Sequence, residues 1–147
     1  MENLDLFFKA IKKEFFSLRN GMVADNLKKY FSSDSIIFGL MIPQIKEISE
    51  RYPKSIELGF KLWEDKKCRE SRLLALYLLP KDKIDKDEAK KLFKEVATYE
   101  EAELLSFKIL RYLDFADNLL KELSEEDLND PLLVYNLSMF KKNLNQR

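Results

Sequence analysis

In the stretch ATYEEAELLSFKIL, from Ala97 to Leu110, an aromatic ring and a carboxylate stand one helical turn apart. Thr98 followed three residues later by Glu101 reads as a capping box, so a helix starts here. Tyr99 and Glu103 then share one face of it. The pair has two readings. Glu103 is a working carboxylate beside an aromatic wall, or Glu100, Glu101 and Glu103 simply complement the positive end of the helix dipole.

A second group is basic. Lys66, Lys67, Arg69 and Arg72 cluster at the start of one helix, and Lys46 and Lys54 fall on its expected neighbours. A helix N-terminus with basic side chains is a phosphate site. The same residues also read as solvated charges balanced by Glu64, Asp65 and Glu70. Glu70 and Arg72 fit ion pairs inside a helix stack. Cys68, between Lys67 and Arg69, is either a thiol with a lowered pKa or a small buried hydrophobe. Trp63 completes a stripe with Phe60 and reads as core rather than as a stacking platform.

Composition removes other chemistries. There is no histidine and one cysteine, so Ser-His-Asp triads, zinc clusters and internal disulfides are excluded. The three glycines, Gly21, Gly39 and Gly59, are too far apart for a phosphate loop. No metal or cofactor is expected, and acid–base work falls to Asp, Glu, Lys, Tyr or Cys68. The net charge is zero, from 26 Lys and Arg against 26 Asp and Glu, which argues against a strong non-specific grip on nucleic acid. The halves differ, however. Residues 1–80 carry 14 basic and 11 acidic side chains and residues 81–147 carry 12 and 15, so a nucleic-acid surface is expected in the first half. No apolar run reaches the ~20 residues of a membrane span, and the first residues lack a signal-peptide cleavage site. A cytoplasmic protein is expected.

These residues must be held by helices. Leu4, Phe7, Phe8, Ile11 and Phe15 recur at spacings of three and four. Of Phe7, Phe8, Phe15 and Phe16, two exceed what one buried face accommodates, so they line an interface with a second copy or another protein, or are wrapped by the next helix. Gly21 reads as a helix stop, with a short helix from Met22 to Tyr30. Pro43 and Pro53 each open a helix. The run Leu73–Leu79 is apolar all round and therefore buried on more than one side. Further helices present Ala89, Leu92, Phe93 and Val96, then Ala102, Leu105, Ile109 and Tyr112, then Phe115, Leu119, Leu120 and Leu123. The last, capped by Asp130, presents Leu133, Leu137, Phe140 and Leu144. FKLW at Phe60 echoes as FKEV at Phe93, and RESRLLAL at Arg69 loosely as YEEAELLSF, a shift of 31–33 residues. Stacked helix pairs have such a period. The expected fold is one all-α domain over residues 1–147, a HEAT-like α-solenoid of antiparallel helix pairs, with a compact helical bundle as the alternative.

The order Phe38-Gly39-Leu40, Pro43, Ile45-Lys46, Leu62-Trp63 and Glu70-Ser71-Arg72-Leu73-Leu74-Ala75 resembles the AlkD-type alkylpurine DNA glycosylases, helical-repeat proteins of DNA alkylation repair. The resemblance covers roughly Met22 to Leu113. It implies a curved helix stack that holds duplex DNA and releases cationic alkylated purines. Alkylation makes the base a good leaving group, so the site needs little acid catalysis. A carboxylate stabilises the oxocarbenium-like sugar, aromatic faces flank the cationic base, and basic residues hold phosphates. The family's Trp-x-x-x-Asp element falls on Tyr99 and Glu103, which keeps the spacing and changes both identities. The resemblance therefore assigns catalysis to Glu103 and Tyr99, and DNA contacts to Lys46, Lys54, Lys66, Lys67 and Arg69. Typical members carry a further Trp-bearing helix pair and an Arg that closes the groove; Trp63 is the one tryptophan here. A non-catalytic helical-repeat module for protein interaction, keeping only the family fold, is the rival reading.

Overall fold

The apolar spacing becomes helix almost throughout the computed structural model, which describes residues 3–146. Among the described residues there are nine α-helices, three short 3-10 turns and no strand. This all-α architecture is consistent with a helical-repeat arrangement. The chain divides between Leu79 and Pro80 into two compact units.

In the first unit, α1 (Leu4–Ser17) buries Ile11 and Phe15 and packs on α4 (Ile56–Trp63). Its other phenylalanines are not core. Phe7 meets Tyr52 edge-on at 5.8 Å, Phe8 lies under the Lys12 and Lys61 ammonium groups, and Phe16 is exposed. Gly21 does not stop α1. It is the first residue of α2 (Gly21–Leu27), because Asn20 supplies the cap: its Oδ1 accepts from Val23 N–H at 3.2 Å. Pro43 does sit in the first turn of α3 (Ile42–Ser49). Pro53 opens nothing. Ser55 caps α4 instead, accepting from Leu58 N–H at 3.0 Å while giving its own N–H to Leu78 O at 3.1 Å. That last bond sets the start of α4 beside the end of α5 (Arg69–Leu78), so the two run antiparallel. Gly59 permits their contact, since a Cβ there would stand 2.6 Å from Leu79 Cγ.

The turn Phe38-Gly39-Leu40 is held by α5. The Glu70 carboxylate is fully buried and accepts from the N–H groups of Phe38, Gly39 and Leu40 at 3.0, 3.0 and 3.3 Å. Its ion pair is with Arg69, at 2.8 Å, rather than the expected Arg72. Arg72 instead stacks 3.5 Å from the Trp63 ring centroid and donates to Trp63 O at 2.9 Å. Trp63 is fully buried, as a core residue should be. Gly39 has φ +86°, and a Cβ would meet Ala24 N at 2.8 Å. Gly39→Ala is expected to cost about 1–3 kcal/mol for the left-handed backbone and the crowding together. It should read as a lower urea midpoint with an unchanged slope.

In the second unit, α6 (Lys86–Glu95) begins at a full capping box of Asp85 and Glu88. Helices α7 (Tyr99–Lys108) and α8 (Ala116–Ser124) both pack on α9 (Pro131–Asn145). Asn136 of α9 is buried and donates to Phe93 O at 3.0 Å. Tyr112, expected inward, stands outward on the 3-10 turn Leu110–Tyr112, because the helix tightens after Lys108 and shifts the face. Four hydrogen bonds share one separation of 32 residues: Phe38 to Glu70, Lys86 to Asn118, Lys94 to Glu126, and Tyr135 to Glu103. That separation falls within the 31–33 residues over which the sequence weakly echoes itself.

Candidate functional site

Thr98 starts α7 as expected, its Oγ1 accepting from Glu101 N–H at 3.1 Å. The second half of the capping box is displaced. The Glu101 carboxylate reaches past Thr98 to Ala97 N–H at 2.9 Å and is only 3% exposed. This separates the glutamates of the helix start. Glu101 is a structural acceptor, while Glu103 faces outward beside Tyr99, which is 59% exposed.

Helix α9 adds a residue that sequence reasoning missed. The Tyr135 hydroxyl donates to Glu103 Oε1 at 2.7 Å, and its ring meets Tyr99 edge-on with centroids 4.7 Å apart. Glu103 Oε2 has no partner among the described residues. The hydrogen bond to Glu103 raises the Tyr135 pKa, so the hydroxyl stays a donor at neutral pH. Tyr135 lies off the apolar stripe of α9, which is why periodicity passed it over. The result is a carboxylate held by one phenol hydroxyl, whose ring packs on a second phenol, an arrangement suited to holding or stabilising positive charge.

The basic group is not one site. Arg69 is 6% exposed; its guanidinium donates to Leu40 O and pairs with Glu70, both at 2.8 Å. It is removed from the DNA-contact set, because buried charge needs those partners. The N-terminus of α5 is also closed: Ile36 O takes Arg69 N–H at 3.1 Å, and Ile36 N–H bonds Lys67 O at 2.7 Å. Lys46, Lys54, Lys66 and Lys67 are exposed, Lys67 pairing with Asp34 at 2.9 Å. Lys54 precedes α4 and Lys66 follows it, so the length of that helix, about 12 Å, separates them. Cys68 is buried, and burial pushes its thiol pKa up, against a reactive role. This unit also has a cleft of about 530 Å³ whose walls include Arg19, Lys28 and Phe38, with Lys28 paired to Asp25 at 3.3 Å.

Among the described residues no cluster of three or more His, Cys, Asp or Glu is placed to hold a metal ion, and no helix is long and apolar enough to cross a membrane. No curated protein and no solved structure matches the chain. A family model described as DNA alkylation repair enzyme matches residues 11–132. The match takes in the Phe38 turn, the Trp63 and Arg72 pair and the Tyr99–Glu103 helix, and by it the chain belongs to the DNA alkylation repair enzyme family.

Proposed function

We propose that this chain binds alkylated duplex DNA and hydrolyses the N-glycosidic bond of cationic alkylpurines. The observation that carries the reading is the exposed Tyr99–Glu103–Tyr135 cluster on α7 and α9. A purine alkylated at N3 or N7 is already positive. As its bond to C1′ breaks, the bonding electrons neutralise the base and positive charge moves to the sugar. Glu103 stabilises that charge, Tyr99 flanks the lesion, and Tyr135 fixes the carboxylate. Water adds to C1′, and its proton passes to Glu103 or to solvent. Lys46, Lys54, Lys66 and Lys67 hold phosphates, each weakly, as exposed lysines do.

The test is release of base from duplexes carrying N7-methylguanine or N3-methyladenine, comparing the natural protein with Glu103→Gln. Release above the spontaneous rate that falls in the variant is the expected result. The rival reading, a non-catalytic protein-interaction module, draws on exposed Leu6, Phe16 and Met22 in the first unit. It expects no release and no salt-sensitive DNA binding.

A further inference from the structure

The outward face of α7 does not end at Glu103. Phe107, one turn on, is 48% exposed, and Tyr112 is 46% exposed. The Arg111 guanidinium lies 4.0 Å from the Phe107 ring centroid and 4.6 Å from that of Tyr112. Its Nε donates to Phe107 O at 2.8 Å and its Nη2 to the Tyr112 hydroxyl at 2.7 Å. The Lys81 ammonium stands 3.9 Å from the same Tyr112 centroid.

We infer that Lys81, Arg111, Phe107 and Tyr112 form a clamp for the DNA sugar-phosphate backbone beside the nucleotide engaged at Glu103. This rests on the reading of Glu103 given above. Three features favour an anion here. First, Lys81 and Arg111 sit on one ring, so their charges are at most about 8.5 Å apart, the sum of 3.9 and 4.6 Å. Both charges therefore lie within one Debye length of each other, ~10 Å at 0.1 M salt, so successive phosphates of one strand meet both. Second, Arg111 is held by two hydrogen bonds and two rings before any ligand arrives. Little side-chain freedom remains to be lost on binding. Third, charge is sorted along one face. The carboxylate is midway along α7 and the cations lie beyond its C-terminal end, with Phe107 about 6 Å along the axis from Glu103. A cationic base is drawn to one end and the strand's phosphate to the other, over rings that suit the sugar and base faces.

Sequence reasoning sent the DNA surface to the first half on net charge, and the clamp sits in the acidic half. Local arrangement decides binding, and the net charge of a unit does not report it.

The test is binding of an undamaged, fluorescein-labelled duplex by anisotropy across a salt series. Lys81→Gln/Arg111→Gln is expected to weaken binding at least tenfold at low salt. It should flatten the slope of log K against log salt by about two, one for each phosphate no longer neutralised. Lys81→Gln alone should flatten it by about one. Lys141→Gln/Lys142→Gln removes the same charge from the end of α9 and should leave the slope as it was. Thermal unfolding confirms that each variant is folded. A Lys81/Arg111 double variant with the natural slope overturns the clamp, as does an equal fall in both doubles. Base release from methylated duplex on the same preparations separates the two readings. Release by the natural protein with an unaltered double-variant slope removes the clamp and keeps the glycosylase. Clamp-dependent binding without release keeps the clamp and removes the glycosylase. No salt-sensitive binding by the natural protein overturns both.

Discussion

Glu70→Ala should lower the stability of this protein by about 3–5 kcal/mol, a large part of what a typical domain has. The Glu70 carboxylate is fully buried and has four partners: the N–H groups of Phe38, Gly39 and Leu40, and the Arg69 guanidinium. Removing it takes the carboxylate from a buried guanidinium and leaves three backbone donors without their acceptor at once. An isolated buried ion pair can be replaced by apolar residues of similar volume at little cost, or with a gain. That exchange should fail here. In Arg69→Met/Glu70→Leu the cation is gone, yet the Phe38, Gly39 and Leu40 donors remain unsatisfied. Chemical denaturation of the two variants decides the matter. If the double variant recovers the stability lost in Glu70→Ala, Glu70 is no more than the partner of Arg69, and the turn holds itself.

This network shows what the sequence made legible. The family-like elements were conspicuous as residue types in order, and the structure gives each an architectural task. Gly39 is needed where the Phe38 turn meets Asn20 and Ala24. Glu70 ties that turn to α5, and Arg72 ties α5 to Trp63. Helix existence was readable from apolar spacing, since burial of one face imposes it. Helix starts were less so, because side-chain caps at Asn20 and Ser55 outweighed Gly21 and Pro53 as signals. The candidate site divided in the same way. Tyr99 and Glu103 lie four residues apart on one helix, so local geometry sufficed. Tyr135 comes from another helix, and Arg69 turns inward to a partner next to it in sequence; both depend on packing that one sequence does not display. Lys81, Arg111, Phe107 and Tyr112 come together only because the chain tightens into 3-10 turns at Lys81–Lys83 and Leu110–Tyr112, where helical periodicity stops being a guide.

Glu103→Gln should slow base release about a hundredfold with DNA affinity unchanged. The amide keeps a carbonyl oxygen for the Tyr135 hydroxyl, so geometry is retained and charge alone is lost. In the proposed reaction the Glu103 carboxylate facing the sugar cation is the strong electrostatic contact. Glu103→Asp asks a different question. It retains the charge and restores the acid of the family element, but shortens the side chain by one methylene, roughly 1.5 Å. The Tyr135 bond of 2.7 Å does not survive that retraction without movement of α9. A misplacement of this size is worth about a hundredfold, so the aspartate should be nearly as slow as the glutamine. Tyr135→Phe keeps the ring against Tyr99 and removes the hydroxyl. It should slow release about tenfold through kcat, leaving KM in place. It should also shrink the difference between glutamate and aspartate at this position from about a hundredfold to about tenfold, since the aspartate has already lost the Tyr135 bond. Single-turnover release from N7-methylguanine duplex by these variants and the Glu103→Asp/Tyr135→Phe double measures that coupling. Additive losses would mean that Tyr135 supports the fold at that point and does not position the carboxylate. Equal rates for the natural protein and Glu103→Gln would take the chemistry away from α7 altogether.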